Sequence, residues 1–209
     1  AVCVLSFSAF QLYKILSSYK KGTDEYKKIQ DLVINQEEEF TVDFEKLRAM
    51  NPDVVAWIRF EEPEVISYPV VHSKDNQEYL TKTFGYVENS YGTLFVDMEN
   101  AGDFSDKNTF IYGHRMNNGS MFGKLEEYAE KSFCEEHPYF YIYTPDGYER
   151  KYKVFSAGVV KSTSDSYKKV YNSEEEYVRY IEKIRAESNY QIDINVTAQS
   201  QIVSLSTCT

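Results

Sequence analysis

The sequence predicts a mainly β domain with a helical N-terminal extension and helices set between strands. Three observations point there. Between residues 54 and 112 four short β-branched and apolar runs follow one another, parted by polar or Gly-containing breaks. The segment Thr144-Pro145-Asp146-Gly147 separates two Tyr-rich runs, its Pro and Gly placed as a type I turn requires. Stretches with apolar residues at helical spacing stand before, within and after that series. Short strands in this rhythm make a barrel or a sandwich.

In chain order, residues 1–12 form an apolar leader, too short for the roughly 18 residues that span a bilayer, and Lys14, Lys20 and Lys21 follow it. Residues 1–20 therefore read as a signal-anchor remnant or an N-terminal helix, and residues 21–209 as one catalytic-sized domain. Thr23 is the expected cap of a helix with Asp24 and Glu25 in its first turn and Tyr26, Ile29 and Val33 along one face. Asp43 opens a shorter helix with Phe44 and Leu47. Strand runs follow at 54–60, 67–71, 92–96 and 108–112. Ser120 is the expected cap of a helix over 121–134, where Phe122, Leu125, Ala129 and Phe133 recur at helical spacing. Residues 139–143 and 148–160 flank the turn as a hairpin. Ser173 with Glu176 three positions on reads as a capping box, opening a helix with Tyr177, Ile181 and Ile184 inward. A last β-branched run, 202–208, ends in a thiol.

Composition narrows the function. With 209 residues and 42% apolar content the chain can bury one full core. Its 33 acidic against 23 basic residues leave a formal charge of −10, which argues against a nucleic-acid partner, since phosphate binding needs a basic footprint. The 19 Tyr and 13 Phe suit strands and an aromatic-lined groove. Cys3, Cys134 and Cys208 are odd in number and at no metal-like spacing, so neither a disulfide framework nor a metal site is expected. Cys134 falls in a helical pattern and reads as buried packing.

Two of the strand runs deliver a reactive side chain at their ends. One ends in Cys208; the other continues through Tyr112-Gly113 into His114. A thiol of ordinary pKa, about 8.5, is mostly protonated at neutral pH and needs a basic partner to act as a nucleophile. His114 is the candidate, while His72 and His137 match no motif and read as surface residues.

These residues resemble a known family. The pentapeptide Ser204-Leu205-Ser206-Thr207-Cys208 with the upstream Tyr112-Gly113-His114 is similar to the signature of sortases, the cysteine transpeptidases of Gram-positive bacteria. The stretches at 51–58, 75–80 and 108–114, the last followed by Met121-Phe122, resemble class B members, and the likeness runs from about Thr23 to the end. Ser204 stands where many members have Thr. Sortases carry a catalytic Arg on the strand after the Cys strand, whereas Arg48, Arg59, Arg115, Arg150, Arg179 and Arg185 occupy other positions. The expectation is that the natural protein continues past Thr209 with that strand.

The resemblance implies an eight-stranded β-barrel with a helix inserted in the loop before the Cys-bearing strand. It implies cleavage of a C-terminal pentapeptide sorting signal, of Asn-Pro-x-Thr-Asn or Ser/Pro-Pro-x-Thr-Gly type, through a thioacyl intermediate on Cys208, with His114 moving protons. The partners implied are proteins bearing the signal, a peptidoglycan amine, and the membrane, through a single N-terminal anchor that holds the enzyme at the extracytoplasmic face. No cofactor is implied. Ser206, Tyr112, Leu80, Asn76, Tyr167 and Thr163 fall where class B members line the peptide groove. A cysteine peptidase that releases acid to water, or a non-catalytic cell-wall domain, are the alternatives.

Overall fold

The computed structural model of the chain describes residues 2–35 and 40–207. Strands β1 (Ile34–Asn35) and β2 (Thr41–Val42) make a small antiparallel ribbon. Seven further strands form one sheet: β3 (Val54–Phe60), β4 (Ser67–His72), β5 (Leu94–Val96), β6 (Asn108–Tyr112), β7 (Tyr139–Tyr143), β8 (Glu149–Lys153) and β9 (Ile202–Ser206). Their order is β8-β7-β3-β4-β5-β6-β9, antiparallel except for the β4–β5 and β6–β9 pairs. The sheet curls into a nearly closed barrel, with seven strands among the described residues against the eight expected. Its centre is apolar because β3 and its neighbours are apolar at almost every position. Trp57, Ile58, Val70, Leu94 and Ile111 are fully buried.

Helix α1 (Val2–Val33) is one continuous helix. Thr23 is therefore not a cap: its hydroxyl donates back to the Tyr19 carbonyl (3.0 Å), the mid-helix habit of Thr. The second half of α1 packs on the barrel through Tyr26, Ile29 and Val33, the face expected from their spacing. The first half leaves Val4, Phe7, Phe10, Leu12, Tyr13, Ile15 and Leu16 exposed. The expectation of a single N-terminal membrane anchor, and the extracytoplasmic placement drawn from it, is corrected to this extent: α1 does not qualify as a membrane-spanning helix. No helix among the described residues is long and apolar enough to cross a membrane, because Ser8, Gln11 and Lys14 interrupt the apolar run of α1.

Asp43 caps α2 (Phe44–Met50), accepting from the Lys46 N–H at 3.0 Å. The helix expected over 121–134 is instead a 3-10 segment, Gly123–Ala129, followed by the short α3 (Lys131–Glu136). Met121 sits at φ 54°, outside helical space, and Ser120 gives its hydroxyl to Tyr91 rather than to a helix end. A Cβ at Gly123 would lie 2.6 Å from the Met116 carbonyl oxygen, so a close backbone approach overrides the local periodicity. The 144–147 turn joins β7 and β8 as expected, but β8 stops at Lys153 rather than near 160. Helix α4 (Glu174–Ala186) precedes β9, as the inserted helix should, with Ser173 accepting from Glu176 N–H at 3.2 Å. The Glu176 carboxylate reaches the Asn172 N–H, one residue earlier than a capping box requires. Helix α4 builds a second small core of Tyr177, Tyr180, Ile181 and Ile202.

Candidate active site

The site forms where β6 and β9 end side by side. The two strands are parallel, with Phe110 opposite Ser204 and Tyr112 opposite Ser206, and the pairing runs on as the Gly113 N–H donates to the Ser206 carbonyl at 3.1 Å. Gly113 is needed there: a Cβ would meet Leu94 Cδ2 at 2.2 Å and the Phe122 ring at 2.8 Å. The chain can thus pass close against Leu94 and Phe122 as it leaves β6 and present His114.

His114 Nε2 lies 2.6 Å from the backbone oxygen of Leu80, the last residue of a 3-10 turn, Glu78–Leu80. A carbonyl oxygen only accepts, so Nε2 carries a proton and Nδ1 is the basic nitrogen of the neutral ring. Leu80 therefore acts on the imidazole through its main chain. The Asn76 side-chain oxygen accepts from the Met98 N–H (2.8 Å), tying the loop that carries Leu80 to the one following β5.

Tyr112 commits its hydroxyl to a neighbouring carboxylate. It donates to Asp97 Oδ2 (2.9 Å), and its ring packs between Phe95 and Phe110. Burial and the neighbouring carboxylate both raise its pKa, so the hydroxyl stays protonated. Ser206 shares a hydrogen bond with the Tyr167 hydroxyl (3.1 Å), and the Tyr167 ring stacks on Phe110 with centroids 5.8 Å apart.

Asn76, Leu80, Tyr112, His114, Tyr167 and Ser206 all line one open cleft of about 1470 Å³. Thr163 is exposed and does not line it, although its neighbour Ser162 does. Cys208 lies outside the described residues. His72 and His137, expected at the surface, are half-buried and stand away from the cleft. Cys134 is buried, and burial pushes its thiol pKa up, as befits a packing residue. Among the described residues no group of three or more His, Cys, Asp or Glu is placed to share a metal ion.

The structure adds residues that the sequence did not disclose. Buried Asn108 joins four parts of the site: its amide donates to the Tyr180 hydroxyl (2.9 Å), to the Tyr171 hydroxyl and to the Lys168 carbonyl, and its oxygen accepts from Ser204 (2.9 Å). Asp97 and Lys169 pair at 2.8 Å beneath the cleft. The one signal for Asp97 was a lone carboxylate closing an apolar strand, and Lys169 had none.

A family model described as the sortase domain matches residues 61–209. The chain belongs to the sortase family. Sortase B of Staphylococcus aureus is 32% identical over 206 residues, covering 94% of this chain and 82% of that protein. Sortase B of Listeria monocytogenes is 35% identical over 167 residues, covering 78% of this chain and 65% of that protein's length. Among solved structures, sortase B from Bacillus anthracis in complex with AAEK1 superposes with a TM-score of 0.82 at 30% identity, over 93% of each chain. A Staphylococcus aureus sortase B–substrate complex gives 0.81 at 26% identity, over 92% of this chain and 90% of that one. Sortases are cysteine transpeptidases, and the barrel-like fold and these relatives put this chain among the sortase B-like ones.

Proposed function

We propose that this chain cuts a sorting signal borne by another protein and joins the new carboxyl end to a peptidoglycan amine, with Cys208 as nucleophile and His114 as proton carrier. The observation that carries the reading is the β6–β9 register. Tyr112 pairs with Ser206, and His114 and Cys208 each follow by two positions in the sequence. In the first half-reaction the Cys208 sulfur attacks the scissile carbonyl carbon, the C–N bond breaks, and the imidazolium of His114 gives its proton to the leaving amine. In the second, the acceptor amine attacks the thioester, the C–S bond breaks and His114 takes up the proton. Two acyl transfers replace one difficult amide exchange. The similar Staphylococcus aureus enzyme was solved as a substrate complex, which supports a peptide as occupant of the corresponding cleft here. Asn76, Leu80, Tyr112, Tyr167 and Ser206 are the residues proposed to shape it.

The test is a mutant pair. Cys208→Ala should abolish both peptide cleavage and the covalent adduct seen by mass spectrometry, whereas Cys134→Ala should keep turnover within about threefold of the unmodified chain. A Cys208→Ala protein that still cleaves would overturn the assignment. Product analysis with an amine acceptor separates transfer from the peptidase alternative: release of free acid alone, with acceptor in excess, would favour the peptidase.

A further inference from the structure

Both walls of the cleft are fastened to one buried carboxylate. Asp97 directly follows β5 and is 1% exposed. Its Oδ1 accepts the Glu99 N–H (2.9 Å), while Oδ2 accepts the Tyr112 hydroxyl (2.9 Å) and the Lys169 ammonium (2.8 Å). Tyr112 belongs to the barrel wall. Lys169 belongs to the opposite wall, in the loop between the 3-10 turn Asp165–Tyr167 and α4. At the rim the same ammonium meets Glu99 at 2.6 Å. Lys169 comes two residues after Tyr167, whose other attachments are a ring stack on Phe110 and one hydroxyl bond to Ser206. Neither Asp97 nor Lys169 lines the cleft.

We infer that Asp97 and Lys169 are positioning residues for the substrate peptide: their ion pair holds the loop bearing Tyr167 at a set distance from Tyr112 and so fixes the width of the cleft. The inference rests on the proposed reading of the cleft as the peptide site. Exposed ion pairs are weak tethers because water and salt compete for both charges. This one has a fully buried carboxylate and a side-chain ammonium only 18% exposed, so opening the loop would strand the Asp97 charge under the barrel wall. Without the ammonium the loop would keep its ties to α4, through the Lys168–Glu176 pair and the Ser166 bond to Glu187, but would be held to the barrel near Tyr167 by neutral contacts alone, and each binding event would have to set its distance afresh. Affinity should fall while the imidazole of His114, held by Leu80 from another loop, keeps its place.

Lys169→Met and Lys169→Arg in the full chain provide the test. By hydrogen–deuterium exchange on the peptide-free protein, the Met variant should speed exchange across residues 162–171 about tenfold more than it speeds exchange across β6, and the Arg variant should return to the unmodified rate. In steady-state cleavage of a sorting-signal peptide, KM should rise about tenfold in the Met variant with kcat within about twofold, again restored by Arg. A purely structural role would lower the melting temperature without that split. Unchanged exchange at 162–171 overturns the inference, as does faster exchange accompanied by a loss confined to kcat. If the unmodified chain turns over no sorting peptide, the proposed function fails while the exchange data still decide whether the pair holds the loop.

Discussion

The polar residues under the cleft are held to their roles by the company they keep. Burial alone would raise the Asp97 pKa, but the Lys169 ammonium, the Glu99 N–H and the Tyr112 hydroxyl together outweigh it and hold the carboxyl below its usual value. Burial likewise works against the Lys169 charge, and the two carboxylates outweigh it, so its pKa is raised. Because the folded-state pKa of Asp97 lies below the unfolded value of about 3.9, its contribution is fully present above that pH and is lost as pH falls through the folded pKa. Thermal stability should thus change little through this group between pH 7 and 5 and fall below about pH 4. In Lys169→Met the carboxyl keeps its burial and loses its cation, so the fall should begin at higher pH, and at pH 7 the variant should be less stable by about 2–4 kcal/mol. Denaturant melts across pH measure both. An acid limb that does not move in the variant would contradict the stabilising role of the pair.

At the scale of elements, legibility followed the range of the forces involved. Strands β3, β4, β6 and β7 were readable because apolar density and β-branching are local properties, and the caps Asp43 and Ser173 because a side chain that bonds the N–H three residues on is chemistry within one turn. The interval 121–134 failed for the opposite reason. Its helical spacing is real, but the Met116 carbonyl beside Gly123 and the bond between Ser120 and Tyr91 come from elsewhere in the chain. The candidate site divides in the same way. Most groove residues named from the family likeness line the cleft, yet Leu80 serves His114 through its carbonyl and Tyr112 spends its hydroxyl on Asp97, contacts that residue type could not reveal. A test at this scale is Ser173→Ala, which removes the side-chain acceptor for Glu176 N–H and should cost about 1 kcal/mol in a denaturant melt. No change would mean that the bond from Glu176 to Asn172 suffices to start α4.

For the whole molecule, α1 is fastened to the barrel at a point where a helix-breaking residue is an asset. Gly22 lies in the middle of α1, and a Cβ there would come within 2.6 Å of the buried Tyr91 ring, which also bonds Thr23 and Ser120. In an exposed helix Gly→Ala would gain about 1 kcal/mol. Here overpacking should prevail, and Gly22→Ala should lower stability by about 1–2 kcal/mol net, a cost that should shrink when the same substitution is made in a Tyr91→Leu background. A variant more stable than the parent would show that α1 docks loosely.

The β6–β9 pairing has a consequence for synthesis. Its partners, such as Phe110 and Ser204, lie 94 positions apart, so the strand that completes the cleft leaves the ribosome long after the strand that bears the imidazole. During that interval the nascent chain holds the edge of β6 without its parallel neighbour and has no cleft in which a peptide could be cut. Cleavage competence is thereby coupled to the arrival of β9, and a partly made chain has no means of acting on the proteins synthesised around it.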